Sequence, residues 1–558
     1  MTEYIRLKTS NCQNCYKCIR NCPVKSIRFS GNQAHIVNDE CIFCGHCLTV
    51  CPQNAKYIRD DTEIVKTMIA RGEHISVSIA PSFIANYPNV TIKAMENALK
   101  QLGFSAVEET AIGATAVKQK YDEIINKGEQ KVIISSCCHS VNLLIRKYFP
   151  ETLSCLARVV SPMAAHCKML KEKNPNTKTV FIGPCISKKA EAEEYKEYID
   201  CALTFEELTR WLNEENITFD TIEDINNESK ARLFPIAGGI LKSMECSNPD
   251  YTYITVDGVE KCIKALTDIK NGELENVFIE MSVCIGSCIG GPAMERNHHS
   301  LIRDNIVIEK YAGDKDFSII NLDEEEIKHE HRYIGTHSTM PSEREIKEIL
   351  KKMGKTLPEH ELDCGTCGYN TCREKAIAVY HGKADLSMCL PFLKEKAENF
   401  SDNIIKNTPN AIIVMNESLE IQQINKAALK LMNINAAPDV LGDSVVRILP
   451  PQDFVDILNS SKRLITTKQY LSEYNCYVEK IIVYDKSYHL IICIMRDITD
   501  EERSKAAKNE VSRQAIEITN EIIQKQMRSV QEIASLLGET TAETQVALTR
   551  LKESLSYD

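Results

Sequence analysis

Cys12-Gln-Asn-Cys15-Tyr-Lys-Cys18-Ile-Arg-Asn-Cys22-Pro23 is the stretch on which the reading of this chain turns, because it recurs as Cys41-Ile-Phe-Cys44-Gly-His-Cys47-Leu-Thr-Val-Cys51-Pro52. Three soft thiolates at this spacing can be turned onto one iron-sulfur cluster by a single bend of backbone, and the fourth must come from elsewhere. When two such runs interlock, the last cysteine of each serves the other cluster. Cys12, Cys15, Cys18 and Cys51 are therefore assigned to one 4Fe-4S cluster, and Cys41, Cys44, Cys47 and Cys22 to a second. A pair of zinc sites is the competing reading, and zinc motifs rarely show two interlocked runs each closed by Cys-Pro.

Around this repeat the chain has 558 residues, which implies several domains, and 24 cysteines, far above ordinary usage. A net charge of -11 without a dense Lys/Arg block gives no footprint for nucleic acid or an anionic membrane. The opening MTEYIRLKTSNC has no apolar run of signal-peptide length, and no stretch long enough to span a bilayer follows. The expectation is a cytoplasmic protein with reduced, metal-binding thiols.

Beyond about residue 73 the pattern becomes buried strands followed by helices: HISVSIAPS, an amphipathic stretch from Ala94 to Leu102, KVIISSCC, TKTVFIGPC and ENVFIEMSVC. This alternation predicts an α/β domain, whose ligands gather beyond the carboxyl ends of strands. Those ends carry Ala80-Pro81, Cys137-Cys138, Pro184-Cys185 and Cys284. Residues 301–358, including DEEEIKHEHR, read as a charged surface extension. A compact block follows, Cys364-x2-Cys367-x4-Cys372-x16-Cys389, with Gly365, Gly368 and Asn370 permitting tight turns. Four cysteines in two pairs suit either a 4Fe-4S cluster or structural zinc. Cys155, Cys167, Cys201, Cys246, Cys262, Cys476 and Cys493 fit no ligand spacing and read as core residues. In the tail, Val511, Ala515, Ile518 and Ile522, then Val530, Ile533 and Leu537, recur at helical steps, with a break near Gly538-Glu539-Thr540-Thr541.

Residues 1–60 resemble two-cluster ferredoxins, and the 364–389 block resembles a four-cysteine iron-sulfur domain. The middle domain resembles the [FeFe]-hydrogenases, whose signatures TSCCP, MPCxxKK and ExMACxxGCxxGG have counterparts in Ser135-Ser136-Cys137-Cys138, Gly183-Pro184-Cys185 with Lys188-Lys189, and Glu280-Met281-Ser282-Val283-Cys284 with Cys288. The resemblance implies that Cys138, Cys185, Cys284 and Cys288 hold the cubane of an H-cluster. It further implies that Cys288 bridges to a di-iron unit carrying CO, cyanide and azadithiolate. It makes Lys188 a hydrogen-bond donor to a cyanide, Cys137 the first proton carrier, and Ala80 and Pro81 pocket-lining residues. The implied cofactors are three 4Fe-4S clusters plus the H-cluster.

Departures from the enzyme pattern gather near the implied metal. Gly183 replaces a methionine, Ser282 another methionine, Met163 a glutamine, and Ala157 a serine of the proton relay, while GATAVKQKYDEI offers Tyr121 and Glu123 in place of a relay glutamate. Loss of bulk at Gly183 and the hydroxyl at Ser282 are expected to alter the metal's surroundings. TPNAIIVMNESLEIQQINKAALKLM and SYHLIICIMRDITDEERSK resemble the opening and exit of a PAS domain. The expected fold is thus an α/β and α+β multidomain chain: 1–60 ferredoxin-like, 61–300 H-cluster domain, 301–358 extension, 359–398 four-cysteine domain, 399–500 PAS domain, and 501–558 helical signalling or dimerisation tail. The resemblances imply a sensory [FeFe]-hydrogenase acting slowly on H2 and protons. Its implied partners are a ferredoxin-type redox protein, a second copy of the chain and a separate kinase or phosphatase. Two other readings stand beside it: a catalytic ferredoxin-linked hydrogenase, and an iron-sulfur redox sensor without the di-iron unit.

Overall fold

Duplication of the cysteine motif is repeated in the backbone of the computed structural model, which describes residues 3–220, 229–295, 300–319, 327–335, 339–460, 462–537 and 542–554. Left-handed φ values occur in pairs at Asn14 and Phe43, Tyr16 and Gly45, and Lys25 and Asn54, each pair offset as Cys12 is from Cys41. These turns feed the short helices Lys17–Arg20 and His46–Thr49. Strands β1 (Ile5–Leu7), β2 (Ile27–Ser30), β3 (Gln33–Ile36) and β4 (Lys56–Ile58) close the domain as two antiparallel pairs, β1 with β4 and β2 with β3.

The next strands are β5 (Ile75–Ile79), β6 (Ala106–Glu109), β7 (Val132–Ile134), β8 (Lys178–Gly183), β9 (Cys201–Thr204), β10 (Thr252–Asp257) and β11 (Val277–Ser282). They form two parallel sheets, ordered β6-β5-β8-β9 and β10-β11-β7. Every residue of β5 and of β7 is buried, as strands covered on both faces require. Three of the intervening helices start at side-chain caps: Thr91 accepts from the Ala94 N–H, Ser161 from Ala164, and Thr204 forms a capping box with Glu207. All strands of a parallel sheet end on one side, so the tips of β5, β7, β8 and β11 deliver their Pro and Cys residues to one place.

One apolar core contains Ile19 and Ile27 of the ferredoxin-like domain, Ile134 and Ile279 of the second sheet, and Tyr369 and Met388 of the four-cysteine block. Where the first of these domains meets the sheets, Gly45 has φ +74, and a Cβ there would lie 2.5 Å from Pro292 and 2.8 Å from Ile186. Only glycine satisfies both the left-handed turn and this approach.

Residues 301–358 are more embedded than their charge suggests. Ile327–Ile334 bonds back to the second domain: Val160 N–H donates to the Ile327 carbonyl at 3.0 Å, and Ile334 N–H to that of Arg146 at 3.0 Å. The helix Glu343–Lys352, opened by a Ser342–Glu345 capping box, packs Ile346 and Leu350 onto Ala376 of the helix Cys372–Tyr380. Residues 323–326 of the acidic run lie outside the described residues.

The chain divides into two compact units, Met1–Leu393 and Lys394–Asp558. In the second, β12 (Ala411–Asn416), β13 (Ile421–Ile424), β14 (Leu464–Leu471), β15 (Cys476–Asp485) and β16 (Leu490–Asp497) form an antiparallel sheet ordered β13-β12-β16-β15-β14. Alternation buries one face, including Ile413, Met415, Val478, Ile482, Ile491 and Cys493. The helix Thr499–Leu537 follows, with Val511, Ile518 and Ile522 exposed. The side chains of Ile533 and Leu537 and the break at 538–541 lie outside the described residues. No helix among the described residues is long and apolar enough to cross a membrane.

Candidate metal centres

The tips of β5, β7, β8 and β11 surround a cavity of about 120 Å³ lined by Ala80, Pro81, Cys137, Cys138, Cys185, Lys188, Ser282, Cys284 and Cys288, among others. Cys138 caps the helix His139–Tyr148, and Cys185 leads into the helix Ser187–Glu194. Cys288 sits on a short turn entered through left-handed Gly286 and Ser287. Its sulfur is accessible because it faces this interior space. Burial raises the Cys284 thiol pKa, and the neighbouring Cys185, Cys138 and Cys288 raise it further. Burial likewise pushes Cys288 up to about 12. Thiols that hinder one another's ionisation in this way are poised to be neutralised together by a cationic metal cluster.

Cys137 points into the same space but belongs to a different network. Its Sγ lies 3.2 Å from the Tyr121 hydroxyl, which also accepts from the Ser136 N–H at 2.8 Å. Burial pushes the Cys137 thiol up to about 12, so it is neutral at ordinary pH. Glu280 lines the cavity too, and burial holds its carboxyl up at about 7 although the N–H groups of Gly238 and Leu241 donate to it at 2.8 and 3.0 Å. Tyr121 thus touches the cavity-lining Cys137 without lining the cavity itself, whereas Glu123 is half-exposed and paired with Lys120 at 2.6 Å. Burial works against the Lys188 charge, yet the Glu191 carboxylate 2.5 Å away outweighs it and raises its pKa. A further bond from Lys188 to the Cys137 carbonyl at 3.3 Å aims this ammonium at the cavity wall.

The substituted positions explain themselves in part. A Cβ on Gly183 would lie 2.6 Å from the Phe181 ring and 3.1 Å from the Ala80 Cβ. The room vacated by a side chain at 183 is thus filled by Phe181, which also lines the cavity. Met163 lines the cavity, and the Ser282 hydroxyl turns back to the Cys284 carbonyl at 3.4 Å. Ala157 is fully buried and bonds through its N–H to the Ile134 carbonyl at 2.9 Å, without lining the cavity. Two residues with no prior assignment stand out. Ser82 lines the cavity with a buried hydroxyl that has no partner, and Glu280 was noted only as part of a signature. Ser82 adjoins Ala80-Pro81, which was the available signal for it.

The ferredoxin-like cysteines group as their spacing predicts. Cys22, Cys41, Cys44 and Cys47 line one cavity, of about 20 Å³. Burial raises Cys18, and Cys12, Cys15 and Cys51 raise it further. The symmetric N–H groups of Ser26 and Ala55 point at the sulfurs of Cys22 and Cys51, each at 3.4 Å, as donors to a thiolate should. Cys44 is among the electrostatic neighbours of Cys284. Cys364, Cys367, Cys372 and Cys389 line another cavity, of about 10 Å³, and Cys367 and Cys22 both act on the buried Tyr369. Among the described residues no three His, Cys, Asp or Glu side chains close to the distances of a single ion. Each of these three cavity-lining sets instead rings a void whose soft sulfur donors suit a multi-iron cluster.

Three segments match known families: residues 4–52 the 4Fe-4S dicluster domain, residues 73–292 the iron only hydrogenase large subunit, C-terminal domain, and residues 358–391 a putative Fe-S cluster family. Iron hydrogenase 1 of Clostridium pasteurianum is 23% identical over 285 residues, 39% of this chain and 50% of that protein. The cytosolic Fe-S cluster assembly factor NAR1 of Kluyveromyces lactis is 25% identical over 264 residues, 39% of this chain and 54% of that protein. A solved [FeFe]-hydrogenase HydA1 from Chlamydomonas reinhardtii aligns with a TM-score of 0.40 and 16% identity, over 50% of this chain and 100% of that one. The chain spans about half the length of the curated relatives it matches. Cysteine sets and matched segments together mark a hydrogenase-like iron-sulfur protein, similar both to hydrogenases and to Fe-S assembly factors.

Proposed function

We propose that the chain is a sensory hydrogenase: it converts H2 slowly in the cavity at the strand tips and reports redox state to residues 399–558. The observation that carries this reading is the convergence of Cys138, Cys185, Cys284 and Cys288 on one cavity that also presents Cys137, Glu280 and Lys188. In this reading those four cysteines hold the cubane of an H-cluster, with Cys288 shared by a di-iron unit bearing CO, cyanide and azadithiolate. The group, when bound, supplies heterolytic H2 cleavage and one-electron chemistry.

The chain's own residues handle protons and polarity. Cys137 holds a proton at Sγ, and the Tyr121 hydroxyl 3.2 Å away orients that thiol. Glu280, with a carboxyl near 7, exchanges protons in the working range. Lys188, fixed by Glu191, offers an ammonium to an anionic ligand of the metal. Cys44 beside Cys284, and Cys22 with Cys367 around Tyr369, support an electrical order in which the Cys22-Cys41-Cys44-Cys47 set joins the cavity to the four-cysteine set.

Residues 399–500 take the part of a PAS domain, supported by the sequence likeness and the five-stranded antiparallel sheet. The exposed seam of Val511, Ile518 and Ile522 supports pairing with a second copy, and a separate kinase or phosphatase completes the output. A ferredoxin-type protein is the redox partner, and the setting is cytoplasmic and anaerobic. The similarity to assembly factors favours one second reading, a redox sensor without the di-iron unit.

Dye reduction under H2 by the matured protein tests the proposal. Slow but definite turnover, below the ordinary range of about 1–10³ s⁻¹, is expected. Turnover within that range points to a catalytic ferredoxin-linked hydrogenase, and none at all to the sensor lacking di-iron.

A further inference from the structure

Lys25 lies at the seam between two cysteine sets. It follows Cys22-Pro23 on a left-handed turn with φ 48. Its ammonium donates to the carbonyls of Ile19 at 3.2 Å and Arg20 at 2.9 Å in its own domain, and to that of Gly368 at 3.2 Å in the four-cysteine block. Burial lowers its pKa, while Cys22, Glu374 and Cys367 counter that effect. Cys22 and Cys367, members of different metal sets, therefore both lie within electrostatic reach of one half-buried cation.

Two further observations single out this position. Gly368 has φ +91, and a Cβ there would lie 3.0 Å from the Ile19 side chain, so the two loops are pressed together with Lys25 bridging them. The duplicated motif supplies a control, because the position equivalent to Lys25 is Asn54, on the same left-handed turn with φ 46. Asparagine is the type such a turn favours and lysine is not. At this position the charge occurs only in the first copy, and the second copy's nearby cation, Lys56, acts instead on Cys18 and Cys47.

We infer that Lys25 is a positioning cation shared by the Cys22 and Cys367 metal sets, favouring the reduced state of both across their seam. Each set gains negative charge when it accepts an electron, and a fixed cation acts on that charge more strongly across a partly desolvated seam than it would through water. The inference rests on the iron-sulfur reading of both sets.

The test is a redox titration of the full-length, cluster-loaded protein, followed by electron paramagnetic resonance, with metal content measured in the same samples. Lys25→Met is expected to shift the midpoints of both sets negative and leave the Cys12-Cys15-Cys18-Cys51 set in place. A tenfold change in a one-electron reduction equilibrium reads as about 59 mV. Lys25→Gln, which keeps a donor but no charge, is expected to follow Lys25→Met, and Lys25→Arg to follow the parent protein. Unmoved midpoints with iron in both sets, or Lys25→Gln matching the parent, overturn the inference alone. Zinc in the Cys364-Cys367-Cys372-Cys389 set overturns the iron-sulfur reading and the inference with it.

Discussion

Two cysteine-ringed cavities of the first unit, alike in offering four thiols, differ in everything around them. The cavity at the strand tips is about 120 Å³ and holds Cys137, Glu280, Lys188 and the unpartnered Ser82 hydroxyl beside the thiols of Cys138, Cys185, Cys284 and Cys288. The cavity of the four-cysteine block is about 10 Å³ and adds Lys355, Asp363, Tyr369 and Lys375, the last with a pKa that burial lowers to about 8. Four thiols suit an iron-sulfur cluster in either place, and in the four-cysteine block they suit structural zinc as well. Spare volume with groups that can hold and pass a proton suits bond-breaking chemistry, and a tight cage suits storage of an electron.

Substitutions that act on one cavity and spare the other test this division. The largest effect is expected from Cys288→Ser, which should abolish both H2 turnover and the CO/cyanide infrared bands while the paramagnetic signal of the four-cysteine set persists. Cys137→Ala should slow H2 turnover by about 10²–10⁴-fold with those bands intact, since only a proton carrier is lost; unchanged turnover removes its proton role. Cys389→Ala should leave turnover near the parent level and eliminate H2-driven reduction of its own set, read spectroscopically. Persistence of that reduction would break the link between the two cavities.

The pH dependence follows from Glu280. Its carboxyl, held near 7 by burial, is protonated below that value and accepts protons above it, so H2 oxidation should rise with pH through about 7. Glu280→Gln should flatten that limb. The folded chain retains this proton between the ordinary carboxyl range and 7, so the same group lowers stability as pH rises through that window. The smallest effect is structural: Gly45→Ala, which forces a Cβ against Pro292, should cost about 1–3 kcal/mol in unfolding experiments.

Much of this was legible in the sequence because short-range spacing carried it. The interlocked runs reappear as paired left-handed turns, and runs such as ISVSIAPS reappear as buried strands whose ends meet. What spacing could not convey depends on packing between distant segments. The refilling of space at Gly183 by Phe181 depends on the ring's direction, and the near-neutral carboxyl of Glu280 depends on a burial that outweighs the N–H groups of Gly238 and Leu241. The helix Glu343–Lys352 looked like a charged extension because its polar face dominates the composition, yet Ile346 and Leu350 suffice to seat it on the four-cysteine block.

Infrared spectroscopy of the protein after maturation with the di-iron unit tests the central claim most directly. CO and cyanide bands that change under H2 are predicted, and they should vanish in Cys288→Ser. A fully matured sample without those bands would contradict a hydrogen-reactive centre at Cys138, Cys185, Cys284 and Cys288.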